Sequence, residues 1–254
     1  MTDQHVDFAD RVVLITGGAT GIGRAAAQAF ARRGAKVVIG DVDDRAAETV
    51  KLIEDGGGTA TFVETDVVSG SQVKNLVDTA VGTYGRLDAA FNNAGVLPPT
   101  APLVEMTEEQ WDQVVDVDLK GVFLSLKHEL AHMVSAGGGA IVNMASVAGV
   151  IADPGMAPYV AAKHGVVGLT KAAGIEYAAQ NVRVNAVAPG LVATPMTQRW
   201  LDDPEVHAAL MANSPIGRPA QPEEIAGAVL FLCSDAASFM TGQVHLIDGG
   251  QTAH

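Results

Sequence analysis

Val12-Val13-Leu14-Ile15-Thr16-Gly17-Gly18-Ala19-Thr20-Gly21-Ile22-Gly23 is the stretch that decides the fold of this chain. Four consecutive apolar residues, three of them β-branched, read as a strand buried on both faces. They run directly into a glycine cluster. The alanine-rich segment from Gly21 to Arg33 then carries charge along one side and ends near Gly34, as an amphipathic helix does. A buried strand that turns tightly into a helix opens a parallel strand–helix–strand unit.

The same alternation continues outward. Lys36 to Gly40 reads as a second strand, Asp43 to Glu54 as a helix and Thr59 to Glu64 as a third strand. Ser71 to Tyr84 is helical and Leu87 to Phe91 returns to strand. In the second half, Thr107 to Val134 reads as one long helical region, Ala140 to Met144 as a strand and Tyr159 to Ala179 as a helix. Val182 to Val187 is a strand, Glu223 to Cys233 a helix and Gln243 to Ile247 a last strand. The pattern predicts one α/β domain over residues 1–254, a Rossmann-like doubly wound parallel sheet with helices on both faces. One long piece, from Ala188 to about Gly217, reads as irregular, broken by Pro189, Pro195, Pro204 and Pro215. Such a segment in a compact domain is expected to be a substrate lid, at about residues 190–217.

Composition narrows the function. With 254 residues, 48% of them hydrophobic, the chain can bury a single large core. Lys plus Arg number 16 against 29 Asp plus Glu, a net charge of −13, which disfavours a nucleic-acid groove. A phosphorylated cofactor is still accommodated, because backbone N–H groups bind phosphate without lysines. Cys233 is the only cysteine and stands in an apolar run, the setting of a buried structural thiol. Met1 to Asp10 has three acids and no apolar stretch, and no run approaches the length of a membrane span, so a cytoplasmic protein without membrane contact is expected. His128 and His132 are one helical turn apart but lack a third ligand, so no metal is expected.

Glycines 17, 21 and 23 stand where the strand becomes a helix. Gly17 permits the tight turn, Gly21 lets backbone approach a pyrophosphate, and Gly23 lets the helix pack on the sheet, with the positive end of the helix dipole facing the phosphates. The spacing is G-x-x-x-G-x-G, so context has to carry the motif. Asp41 provides it: at the end of the second strand, 18 residues after Gly23, its carboxylate can accept both hydroxyls of an adenosine ribose and would repel a 2′-phosphate. Val42 follows it, Arg45 is placed a turn into the next helix, and Asp43 is the better cap for that helix. NAD is therefore the expected cofactor.

Tyr159 and Lys163 are four residues apart on one helix and share a face. A phenol is a poor base at neutral pH, but an adjacent ammonium favours the phenolate. Tyr159 can then take the proton of an alcohol, or return one to a ketone, as hydride moves to or from the nicotinamide. Ser146, leaving a strand end, is placed to hold the substrate oxygen. His164 adjoins Lys163 but points about 100° away around the helix, a structural position.

These pieces together resemble the short-chain dehydrogenase/reductase family over essentially the whole chain. The resemblance rests on Thr16-Gly17-x-x-x-Gly21-x-Gly23, Asn92-Asn93-Ala94-Gly95, Ser146, Tyr159-x-x-x-Lys163 and Pro189-Gly190. It implies a cofactor path formed by Gly17, Thr20, Gly21, Ile22, Gly23, Asp41, Asp66, Val67, Asn93, Ala94, Gly95, Pro189, Gly190, Val192 and Thr194. Asp66 and Val67 would contact adenine, Lys163 the nicotinamide ribose, and Thr194 the carboxamide, with Tyr159 beside the ring. It also implies a homo-oligomer, a tetramer favoured over a dimer, with Phe239 to Gly250 between subunits. One position departs. Where many members carry asparagine in Val-Asn-Leu-x-Gly, this chain has Val117-Asp118-Leu119-Lys120-Gly121. The matching Asp118 joins Ser146, Tyr159 and Lys163 as a catalytic candidate; it can accept from a water or from Lys163 but lacks the amide donor.

The expected pocket walls are Val96, Leu97, Val150, Ile151, Met156, Met196 and Trp200, which favour a small, neutral, largely apolar secondary alcohol or ketone. Trp200 would cap the substrate or anchor the lid; Asp153 would deter an anion if it faces inward; Arg199 and Arg218 would recognise a carboxylate or a carrier phosphate, or be salt-bridged. The expected activity is an NAD-dependent oxidoreductase of secondary alcohols. The alternatives are a 3-oxoacyl thioester (acyl-carrier-protein) reductase, against which Asp41 and the negative charge argue, and a non-catalytic dinucleotide-binding protein.

Overall fold

Val12–Thr16 (β1) is buried at every position, with strands on both edges and helices packed against both faces. Lys36–Asp41 (β2) and Ala89–Asn92 (β4) pair with it, both in parallel. Thr59–Glu64 (β3) extends the sheet beyond β2, while Gly139–Met144 (β5), Val182–Pro189 (β6) and Val244–Ile247 (β7) extend it beyond β4. The order is β3-β2-β1-β4-β5-β6-β7, all parallel. These relations come from a computed structural model that describes residues 7–253; the first six residues of the Met1–Asp10 reading lie outside them.

Alternation along β1 divides the core in two. Val13 and Ile15 face Gly21–Arg32 (α1), Ala46–Asp55 (α2) and Pro222–Cys233 (α9), where Phe30, Ile53 and Ile225 are buried. Val12 and Leu14 face Gly70–Tyr84 (α3), Gly121–Ala136 (α5) and Ala157–Glu176 (α6), with Leu76, Leu126 and Val166. Burial on both faces is the reason these strands read as continuous apolar runs. The chain reverses direction across the sheet between β1 and β4, which opens a crevice at their carboxyl ends.

Three expectations are corrected. The helix predicted from Asp43 begins at Ala46, with Arg45 at its N-cap. Asp43 instead closes the preceding turn, its Oδ1 accepting from the Arg45 amide at 2.9 Å and its carboxylate holding the Arg45 guanidinium. The long helical region is interrupted: Glu108–Val115 (α4) ends in a π-turn over Asp116–Lys120 before α5 begins. The segment read as irregular holds two helices, Gln198–Leu201 (α7) and Pro204–Ala212 (α8), after β6 runs on to Pro189. Pro204, read as a breaker, starts α8, because the Asp203 side chain accepts from Glu205 and Val206 and a first-turn proline sacrifices no bond.

Beneath the sheet lies an acid that the sequence reading left out. Glu129 is fully buried, and Asn92 Nδ2 donates to its Oε2 at 3.0 Å and to Asn143 Oδ1 at the same distance. Asn143 in turn donates to Thr170. Burial pushes the Glu129 carboxyl up to about 7, with the Asn92 hydrogen bond opposing. A raised folded value means that the unfolded chain loses this proton first, so stability falls as pH climbs from 4.5 toward 7. Glu129→Gln removes the titration and offers an amide donor to Asn92 Oδ1, which has no partner. Its melting temperature relative to wild type is expected to be clearly higher at about pH 8 than at about pH 5; thermal melts giving the same difference at both values would contradict this.

Candidate active site

The crevice at the carboxyl ends of β1 and β4 is lined by nearly every residue singled out from the sequence: Gly17, Thr20, Gly21, Ile22, Asp41, Asp66, Val67, Asn93, Ala94, Gly95, Asp118, Ser146, Tyr159, Lys163, Pro189, Gly190, Val192 and Thr194. Gly23 stands behind its wall. A Cβ built on Gly23 would lie 2.0 Å from the Gly17 carbonyl oxygen and 2.7 Å from Asn93 Nδ2, so only glycine lets α1 reach the loop. Gly17 itself has φ +69°, and a Cβ there would meet Ala94 Cα at 2.8 Å. Asn93 fastens the two pieces together, its Nδ2 donating to the carbonyls of Thr16 and Gly17.

These residues suit a dinucleotide on their own geometry. Thr20, at the N-cap of α1, makes no side-chain capping bond and no acid stands in the first turn, which leaves the positive end of the helix open to an anion. Asp41 Oδ2 accepts from the Ala19 amide at 2.8 Å and Oδ1 from the Asp43 amide at 3.0 Å. Each oxygen therefore keeps a lone pair for a ribose hydroxyl, on a carboxylate whose rotamer is already fixed. Arg45 is occupied by Asp43.

At the other end, α6 carries Tyr159 and Lys163. The Lys163 ammonium lies 5.3 Å from the Tyr159 ring centre and donates to the Met144 carbonyl at 3.1 Å. Burial pushes the Tyr159 phenol above its ordinary value; Lys163 opposes this, Asp118 adds to it, and the Ser146 hydroxyl pulls it down. Ser146 Oγ accepts from the Ala148 amide at 3.2 Å, and its hydroxyl hydrogen-bonds the Tyr159 phenol. The Thr194 amide donates to Thr197 Oγ1, which also bonds the Val192 carbonyl and so braces the turn that follows β6.

Other sequence candidates lie elsewhere. Of the apolar walls, Val96 and Met196 line the crevice, whereas Val150 and Ile151 are partly exposed outside it and Leu97, Met156 and Trp200 do not line it either. Trp200 carries the Arg199 guanidinium over its ring. Arg218 is held by both oxygens of Glu224, at 2.7 and 2.8 Å. His164 turns back to the Val160 carbonyl, and no metal-binding group of side chains exists among the described residues. Thr65, Val117 and Thr197 line the site without having been singled out. Thr197 could have been suspected from its place three residues after Thr194; Thr65, between Glu64 and Asp66, and Val117, beside Asp118 in the quoted stretch, carry no chemical signal of their own.

A dinucleotide cleft ending in a tyrosine–lysine–serine group defines an oxidoreductase. The comparisons make this specific: residues 17–252 match the family model described as enoyl-(acyl carrier protein) reductase. The cis-4-hydroxycyclohexanecarboxylate dehydrogenase of Sinomonas cyclohexanicum is 47% identical over 246 residues, covering 97% of this chain and 98% of the relative. The cyclohexanol dehydrogenase of Acinetobacter sp. (strain SE19) is 43% identical, covering 97% and 96%. Among solved structures, a putative NAD(P)-dependent gluconate 5-dehydrogenase from Beutenbergia cavernae, with bound NADP at low occupancy, superposes with a TM-score of 0.93 at 38% identity, covering 98% of this chain and 99% of that one. The chain belongs to the short-chain dehydrogenase/reductase family, and it is an oxidoreductase that interconverts a secondary alcohol and its ketone with a nicotinamide dinucleotide.

Proposed function

We propose that the protein oxidises a small, neutral, largely apolar cyclic secondary alcohol with NAD, the same groups serving the reverse reduction. The observation that carries this is the Tyr159–Lys163–Ser146 group at one end of a crevice whose other end is Asp41. When bound, the nicotinamide supplies the acceptor for a hydride. The chain does the rest. Ser146 donates to the substrate oxygen, Tyr159 as phenolate removes its proton, and the Lys163 ammonium holds that phenolate. Thr20, Ile22, Asp66 and Val67 line the path of the dinucleotide, and Gly190, Val192 and Thr194 its nicotinamide end.

Val96 and Met196 offer an apolar wall to the substrate, and both named relatives are dehydrogenases of six-membered-ring alcohols, one neutral and one a carboxylate. A thioester on a carrier protein is less well served, since Arg218, one of the cations suited to its phosphate, is taken by Glu224. Exposed apolar side chains at Phe231, Phe239 and Leu246 fit a homotetramer built partly through the C-terminal segment, working in the cytoplasm without nucleic acid.

NAD preference rests on Asp41. Asp41→Ala removes both ribose acceptors and the repulsion of a 2′-phosphate, so the two changes move selectivity the same way. The ratio of kcat/KM with NAD to that with NADP is expected to fall at least about tenfold, the equivalent of about 1.4 kcal/mol. An unchanged ratio would place Asp41 outside the adenosine site.

A further inference from the structure

Lys163 is an ammonium shut away from water, with 2% of its side chain exposed, and a buried cation needs a counter-charge. Asp118 stands opposite it, wholly buried, with Oδ2 at 3.1 Å from Lys163 Nζ. The two form a buried ion pair, in which the carboxylate favours the charged form of Lys163. The other oxygen, Oδ1, accepts from the Val96 amide at 2.8 Å. Val96 belongs to the loop that walls the substrate side, and Gly95 before it leaves the carboxylate room, since a Cβ there would lie 3.1 Å from Oδ2. The π-turn over Asp116–Lys120 swings this side chain inward while Asp116 and Lys120 pair with each other on the outside.

We infer that Asp118 is a positioning residue for proton transfer: its carboxylate clamps the Lys163 ammonium with one oxygen and the substrate-side loop, through Val96, with the other. An amide at this position has a single acceptor and no charge, so this clamp is particular to a carboxylate. The inference rests on the proposed role of Tyr159 as acid and base. Its consequence is a different charge balance at the phenol. The carboxylate offsets part of the Lys163 charge, so Tyr159 becomes a base at higher pH than it would beside the cation alone. The charged groups facing this cluster are Lys163 and Tyr159 from α6 and Asp153 from the loop before it.

The test is the pH dependence of kcat/KM for alcohol oxidation in wild type and Asp118→Asn, with cyclohexanol and saturating NAD. The amide oxygen keeps the Val96 bond and the Met144 carbonyl keeps its bond to the ammonium, so the substitution removes the charge and, with it, the acceptor facing Lys163. The rising limb is expected to move to lower pH by about one unit. A limb that stays in place or moves upward overturns the inference. Tyr159→Phe, run alongside, separates the two readings: if it stays active, the acid–base assignment fails, whereas if it is inactive and the limb is unmoved, only the role of Asp118 fails. Should Asp118→Asn not fold, Lys163→Met supplies a second test. That variant leaves a buried, unpaired carboxylate and should lose stability as pH rises, and adding Asp118→Asn should abolish this pH dependence; equal dependence in the single and double variants overturns the clamp.

Discussion

Tyr159→Phe is expected to lower kcat for alcohol oxidation by about a hundredfold or more, the usual contribution of general acid–base catalysis. The ring volume is kept, so the packing of α6 survives and the change removes only the hydroxyl to which the proposal assigns the proton transfer. NAD affinity, measured by calorimetry, should stay within a few-fold of wild type, because most of the dinucleotide path lies on other elements. The chain contains only three tyrosines, so the same variant identifies the Tyr159 signal in an ultraviolet titration of the phenols. That titration should place it above an ordinary tyrosine in the protein alone, for burial dominates the Lys163 cation there. A variant that retains more than half of the wild-type rate would show that another group moves the proton.

Gly23→Ala is expected to be the most damaging single methyl in the molecule. The added carbon would lie 2.0 Å from a backbone carbonyl oxygen, and the neighbouring Asn93 amide, at 2.7 Å, is itself fixed by two carbonyls. Neither neighbour is the free end of a flexible side chain, so α1 has to move away from the loop. Overpacking of this kind costs about 1–3 kcal/mol. The displacement falls on the turn and helix end that face the dinucleotide. NAD affinity should therefore drop at least tenfold, about 1.4 kcal/mol, with a lower melting temperature. Gly82→Ala is the matched control on α3, where an added Cβ meets nothing within 4 Å. Equal NAD affinity in Gly23→Ala and wild type would remove Gly23 from the cofactor clasp.

The parallel sheet was legible because its strands are buried on both faces and therefore write themselves as runs such as Val12 to Ile15 and Ala140 to Met144. The glycine turn was legible for a related reason, since the close approach at Gly17 and Gly23 restricts the residue type. What escaped were features decided by tertiary contact. Asp43 was assigned to cap α2, but its carboxylate bonds the amide and guanidinium of Arg45, and the helix begins one residue beyond that arginine. The break in the long helix carries no proline, but the π-turn over Asp116–Lys120 falls in the Val117-to-Gly121 stretch where the family resemblance implies a helix kink. Pro204 was misread because a proline marks a helix start as readily as a break, and the Asp203 cap decides between them. Glu129 was invisible for the opposite reason: on a helix an acid reads as solvated unless its neighbours across the sheet, Asn92 and Asn143, are known to be there.

The most direct test of the account is isotopic. Cyclohexanol carrying deuterium on the carbinol carbon, incubated with the protein and NAD, is expected to yield the ketone and reduced dinucleotide with the deuterium on the nicotinamide ring, as read by mass spectrometry. The Tyr159→Phe variant should leave the label on the alcohol while still binding NAD. Saturable NAD binding with no label transfer, from cyclohexanol or from a panel of other cyclic and open-chain secondary alcohols, would contradict it.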